Sequence, residues 1–206
     1  MNSPVLAQPI ERPHAPQQYG FTAIELLITI AVLGILLALA MPALQDFVVA
    51  SRGYALSTDF VTDMQRARQE SIAGNVCVKI CQSANAEKGS AATCATSGDD
   101  WQRGWILFRN PSCDTGLDNP PDTDVIGVHQ GTSTDFTLET ASGPARRYFL
   151  YYPNGVIRSS GAAMTGLSLL HGDSGATSKH SRSLCISQGG RVTVRPFGGL
   201  DGCNYN

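Results

Sequence analysis

Residues 20–44 read GFTAIELLITIAVLGILLALAMPAL. From Leu26 to Leu44 no residue is charged, and all but Thr29 and Pro42 are apolar, glycine or alanine. At about 1.5 Å per residue, a helix over Ala23–Leu44 covers roughly 30 Å, one bilayer core. A single acid, Glu25, sits just inside the start of the run. A carboxylate in lipid costs at least about 2.5 kcal/mol, so Glu25 needs a partner or a purpose. A secretory signal has a shorter apolar core with its cut after it, and a plain anchor has no use for Glu25.

The helical pattern continues past the membrane run. Phe47, Val48, Tyr54, Leu56, Phe60, Val61, Met64, Ala67 and Ile72 recur at spacings of three and four, while Asp46, Arg52, Asp59, Asp63, Arg66, Arg68 and Glu70 fill the other faces. Gly74-Asn75 is a fitting stop. The spacing therefore predicts one helix of about 53 residues, roughly 80 Å long. Pro42 removes a backbone donor and is expected to kink it.

After Asn75 the period shifts to two. Val76–Cys81, Gly104–Phe108, Val125–His129, Phe136–Thr140, Arg147–Tyr152, Gly155–Arg158, Leu167–His171, Ser183–Ser187 and Arg191–Arg195 read as short strands. Pro153-Asn154-Gly155 and Gln188-Gly189-Gly190 are hairpin turns. Glu87–Asp100 is a polar loop. Asp114–Asp124 is an acidic loop without EF-hand spacing, read as solvated rather than as a calcium site. The fold class is α+β: a long kinked N-terminal helix packed on an antiparallel β domain.

Several phrases carry a family resemblance. Gly-Phe-Thr-x-x-Glu at 20–25, followed by about twenty apolar residues, resembles the N-terminus of type IV prepilins and type II secretion pseudopilins. Gly34 and Pro42 fall where that family has a Gly and a Pro. Trp101–Phe108 (WQRGWILF) and Gln65–Ile72 (QRARQESI) resemble the GspH/FimT subgroup. The resemblance implies that a membrane peptidase cuts between Gly20 and Phe21 and methylates Phe21. It implies that Glu25 pairs with the N-terminal ammonium of a neighbouring subunit. It also implies that Phe60, Val61, Met64 and Ala67 form the core face of the second half of the helix. The expected parts are a removed leader, 1–20; a membrane helix, 21–44; an amphipathic helix, 45–75; and a β domain, 76–206. Family leaders are usually basic, whereas here Glu11 and Arg12 cancel.

Six cysteines behind an export anchor point to an oxidising compartment, the periplasm, and to disulfides. Cys185 and Cys203 flank the last hairpin and are paired. Cys81 with Cys94 closes the polar loop, which leaves Cys77 with Cys113. His129, His171 and His180 are scattered singly, and no nucleophile, metal or phosphate-loop pattern accompanies them. No enzyme, cofactor or metal is expected. The expected partners are other pilins or pseudopilins, the prepilin peptidase and the inner membrane.

Charge adds a second function class. The formal net charge is −2, but residues 85–145 carry nine acids against three bases, and residues 146–206 carry seven bases against two acids. A basic face attracts polyanions. FimT-like members carry Gly-Arg-x-Arg near the C-terminus, associated with DNA capture. This chain has Gly190-Arg191-Val192-Thr193, with Arg195 one strand repeat later. Arg191 and Arg195, with Lys179 and Arg182 in a polar tip, are the candidate DNA contacts.

Overall fold

The apolar run and the amphipathic stripe form one helix, α1, over Ala23–Ala73 in the computed structural model, which describes residues 20–131, 135–141, 144–159, 165–172, 178–197 and 203. The helix runs through Pro42. It ends because Asn75 adopts a positive φ of 48°. The amides of Gly74 and Val76 then bond the carbonyls of Glu70 and Ser71, at 2.9 and 3.2 Å, and close the last turn. The chain divides into two units after Gln45. Every residue from Gly20 to Gln45 is exposed, as lipid or partner helices require of an apolar helix.

In the second unit the rest of α1 packs on two antiparallel sheets. One has the order β3-β2-β1-β5-β6, built from β1 (Val78–Gln82), β2 (Gly104–Arg109), β3 (Val125–Gln130), β5 (Tyr148–Tyr151) and β6 (Ile157–Ser159). The other has the order β4-β7-β8-β9, built from β4 (Phe136–Thr140), β7 (Thr165–His171), β8 (Arg182–Ile186) and β9 (Val192–Pro196). The nine strands expected from period two are present, with no end shifted by more than two residues. The family-type fold follows: a long N-terminal helix on antiparallel sheets.

The helix buries Leu56, Phe60, Met64 and Ala67, and Val61 packs at the rim. Phe60 meets Trp101 and Trp105 edge-on, at centroid distances of 5.4 and 5.3 Å. Gly53 lets Phe136 approach; a Cβ there would lie 2.7 Å from the ring. Phe47, Tyr54 and Ile72 belong to the apolar stripe in the sequence but stay exposed. Tyr54 and Ile72 lie about 120° around the helix from Phe60, at the margin of the packed face, where Tyr54 borders β9 and Ile72 borders Gly155 without either being covered.

The outer face of the first sheet is also covered. Cys81, Ile106 and Phe108 form a second small core with Ala92 and Cys94. Disulfides Cys77–Cys113 and Cys81–Cys94, with Cα–Cα distances of 5.3 and 5.5 Å, tie the overlying loops to β1 and its approach. A third, Cys185–Cys203, has Cα atoms 5.2 Å apart.

Candidate functional site

The N-terminal segment is built for access at one end and order at the other. Gly20 has open space around its Cα, and Phe21 is 92% exposed. One residue further on, Thr22 caps α1. Its amide and its hydroxyl donate to Glu25 Oε2, at 3.0 and 3.1 Å, and the Glu25 amide donates back to the Thr22 hydroxyl at 3.3 Å. This reciprocal pair is a capping box, legible as Thr-x-x-Glu. The reading that assigned Glu25 only to a partner subunit missed it. Thr29, the other hydroxyl in the run, satisfies itself on the Leu26 carbonyl at 2.8 Å. The segment therefore offers an exposed Gly-Phe bond beside a carboxylate already oriented by its own chain.

The C-terminal arginines sit just before β9 and inside it, two alternations apart on the same run. Arg191 precedes β9, in the turn where the Ser187 amide donates to its carbonyl at 2.9 Å; Arg195 lies inside β9, opposite Ser183. Thr193 stands opposite Cys185, on the sheet face where the disulfide to Cys203 sits. Gly190 has a structural task. Its φ is +74°, a Cβ would lie 2.4 Å from the Tyr151 ring, and its carbonyl accepts the Tyr151 hydroxyl at 2.8 Å. Burial raises the Tyr151 hydroxyl pKa, which keeps it a donor.

Lys179 pairs with Asp46 at 2.6 Å, and His180 Nε2 lies 3.5 Å from the same carboxylate. Arg182 donates from Nη1 to the carbonyls of Lys179 and Ser181, both at 3.0 Å. The basic tip is thus fastened to the start of the domain's helix. Residues 173–177 of that tip lie outside the described residues. Ser178 Oγ is 3.3 Å from His171 Nδ1, but His180 is the histidine that meets Asp46. No carboxylate orients His171 as a base, so the triad logic is not met among the described residues.

The acidic loop is not simply solvated. Lys79, on the outer face of β1, is fully buried beneath it. Its ammonium donates to the carbonyls of Thr115 and Leu117 and to Asp118 Oδ1, at 2.9, 2.8 and 2.8 Å, over the Tyr148 ring at 4.8 Å. Sequence reading passed over Lys79 because a lysine alternating with apolar neighbours looks like a solvent-facing strand residue. The signal available was the pair of cysteines beside it, Cys77 and Cys81, which draw loops over that face.

At the other sheet edge His129 stacks on Trp105, with centroids 3.8 Å apart and planes at 4°. Trp105 Nε1 donates to Asp63 at 2.8 Å. Burial pushes the His129 pKa down, outweighing Asp59 and Asp63, and burial pushes the Asp63 carboxyl up despite that bond.

Comparison with known proteins completes the picture. Residues 56–190 match the family described as Type II transport protein GspH, and residues 16–41 match the prokaryotic N-terminal methylation motif. A fimbrial protein of Moraxella nonliquefaciens is 44% identical over 55 residues, 25% of this chain and 36% of that protein. Fimbrial protein EcpC of Eikenella corrodens is 60% identical over 35 residues, 17% of this chain and 23% of that protein. The chain thus spans about a third or less of the length of these curated relatives. The crystal structure of the type IV minor pilin FimU of Pseudomonas aeruginosa has a TM-score of 0.50 at 16% identity, covering 71% of this chain and 90% of that one. That likeness is one of fold.

Proposed function

Since this chain belongs to the GspH family of pilin-type structural subunits, we propose that it is a minor subunit of a type II secretion pseudopilus or type IV pilus, acting in filament initiation. The prepilin peptidase cuts between Gly20 and Phe21 and methylates Phe21. The chain is held in the inner membrane by a single pass, with residues 46–206 in the periplasm, and it assembles with other pilins.

The observation that carries this reading is the capped, fully exposed apolar helix. Both Thr22 donors bond Glu25 Oε2, so Oε1 remains to accept the Phe21 ammonium of a neighbour. Pairing neutralises a carboxylate that lipid penalises, and therefore drives subunits together. Glu25→Ala should insert in the membrane but stay out of sheared filaments. Normal incorporation of that variant would refute the role.

The alternative is a FimT-like subunit that captures DNA during uptake. What supports it is the exposure of Arg191 and Arg195. Contacts to a few phosphates give affinities of about 10⁻⁴–10⁻⁶ M with steep salt dependence. Under this reading Arg191→Gln with Arg195→Gln lowers affinity and salt slope together, and Thr193→Arg raises affinity. A fluorescence titration of the full chain in detergent against short duplex DNA decides it; no binding at low salt removes DNA from the function.

A further inference from the structure

We propose that the platform where the β5–β6 and β8–β9 turns meet the last turns of α1 docks an acidic segment of a different subunit of the filament. The inference rests on the filament-subunit reading and names a partner surface that reading leaves open.

The platform is held in shape by its own bonds. The Tyr151 hydroxyl donates to the Gly190 carbonyl at 2.8 Å, and the Ile157 amide donates to the Gln188 carbonyl at 3.2 Å. Gly155 turns the chain at a φ of +77°, and a Cβ there would lie 3.1 Å from Ile72 and 3.3 Å from Arg68. A surface already in its bound shape loses little freedom when a partner arrives.

Three arginines stand around it. Arg68 donates from Nε to the Gly155 carbonyl at 3.4 Å, which orients its Nη groups without using them. Arg158 lies 5.4 Å from the centroid of the Tyr152 ring, a contact that fixes a guanidinium and consumes no N–H. Arg191 follows Gly190 directly, and its guanidinium makes no bond among the described residues. All three are exposed, and no salt bridge engages them among the described residues, whereas Arg52 and Arg109 are answered by Asp135 and Glu70. Exposed guanidiniums with unspent N–H groups are carboxylate and phosphate receptors.

The surface between the arginines decides which. Ile72 is 48% exposed and Val156 44%, beside the half-buried Tyr152. Arginine, tyrosine and apolar side chains in one patch, without lysine, are the composition of a protein interface core. A phosphodiester backbone would answer the guanidiniums and leave Ile72 and Val156 in water. The partner is therefore an acidic protein segment. A minor subunit is flanked mainly by other chains, and a patch of one sign is not self-complementary, so the partner is a different subunit. The charges are exposed, so they steer and register the contact, and it weakens as salt rises.

The test places a photoreactive benzoylphenylalanine at Val156 of the full-length chain in cells that assemble its filaments. Irradiation of sheared filaments should give an adduct with another chain, identified by mass spectrometry as a subunit with a methylated N-terminus and mapped to a peptide richer in Asp and Glu than in Lys and Arg. Arg158→Glu with Arg191→Glu should cut the yield at least fivefold, as should raised salt, and Ile72→Ser should cut it with the charges in place. Replacing the mapped acids by arginine should restore the yield of the Arg158→Glu, Arg191→Glu chain, which separates loss of contact from loss of fold. The proposal is overturned if the adduct joins two copies of this chain, is destroyed by nuclease, maps to a peptide without carboxylates, ignores the arginines, or is absent. The proportion of chain in the sheared fraction is read in parallel. A chain present in filaments without the adduct removes the docking face and leaves the subunit reading intact. A chain absent from filaments refutes the subunit reading, and the docking face with it.

Discussion

Replacing Lys79 by methionine keeps most of the side-chain volume and removes one charge from beneath the acidic loop. In the wild type the ammonium is fully buried and satisfies two backbone carbonyls and one carboxylate oxygen. Without it, the carbonyls of Thr115 and Leu117 lose a partner, and each costs about 1 kcal/mol, the low end for a stranded acceptor, because Thr115 is an exposed residue and Leu117 half-buried. Asp118 is 43% exposed and can turn to water, so its share is small. Loss of the ammonium over the Tyr148 ring adds about 0.5–2 kcal/mol. The sum for Lys79→Met is about 3 kcal/mol, in keeping with the ~3–5 kcal/mol for breaking one side of a buried pair. At about 2–4 °C per kcal/mol for a chain of this size, the midpoint should fall by about 6–12 °C. Asp118→Asn keeps both carbonyl bonds and a neutral acceptor, and should cost about 1 kcal/mol. The assay is thermal and urea unfolding of the full chain in detergent, followed by the fluorescence of Trp101 and Trp105, both in the core. A Lys79→Met protein as stable as wild type, or more so, would falsify the idea that the ammonium organises the loop.

Three further outcomes are expected in the same preparation. Burial depresses the His129 pKa below its ordinary 6.5, so the unfolded chain binds the proton more readily. Stability should therefore fall as pH drops through about 6.5, and His129→Phe should flatten that slope; an unchanged slope in the variant sinks the assignment. Gly190→Ala places a methyl at positive φ against the Tyr151 ring and should cost more than the roughly 1–2 kcal/mol of the backbone penalty alone. Gly172→Ala, also at positive φ but with nothing within 4 Å, should show only that penalty, and equal costs at the two sites would contradict the packing argument. Gly20→Val should leave the chain uncut, and a normal mature N-terminus in that variant refutes the small-residue requirement at the cut.

Much of this fold was legible because its periodicities are strong. Apolar spacing of three and four marks α1, and alternation marks the strands. Two disulfides lay within reach of sequence because Cys81–Cys94 closes a polar loop and Cys185–Cys203 flanks a hairpin, and Cys77–Cys113 was what remained. The less legible features depend on what covers a face. Lys79 reads as a solvent-facing strand residue until the loops fastened by Cys113 and Cys94 are laid over it. Tyr54 belongs to the apolar stripe but stands at the margin of the packed face, beside β9 and uncovered. Asp46 as partner of Lys179 joins residues 133 positions apart, which no local pattern signals.

The central claim is that this chain is a processed filament subunit, and intact-mass analysis of the protein recovered from sheared filaments tests it most directly. The predicted species begins at Phe21, carries one added methyl on its N-terminal amine, and is present in filaments from wild-type cells but missing from those of the Glu25→Ala strain. A chain that begins elsewhere, or that never enters filaments whose other subunits assemble normally, would contradict it.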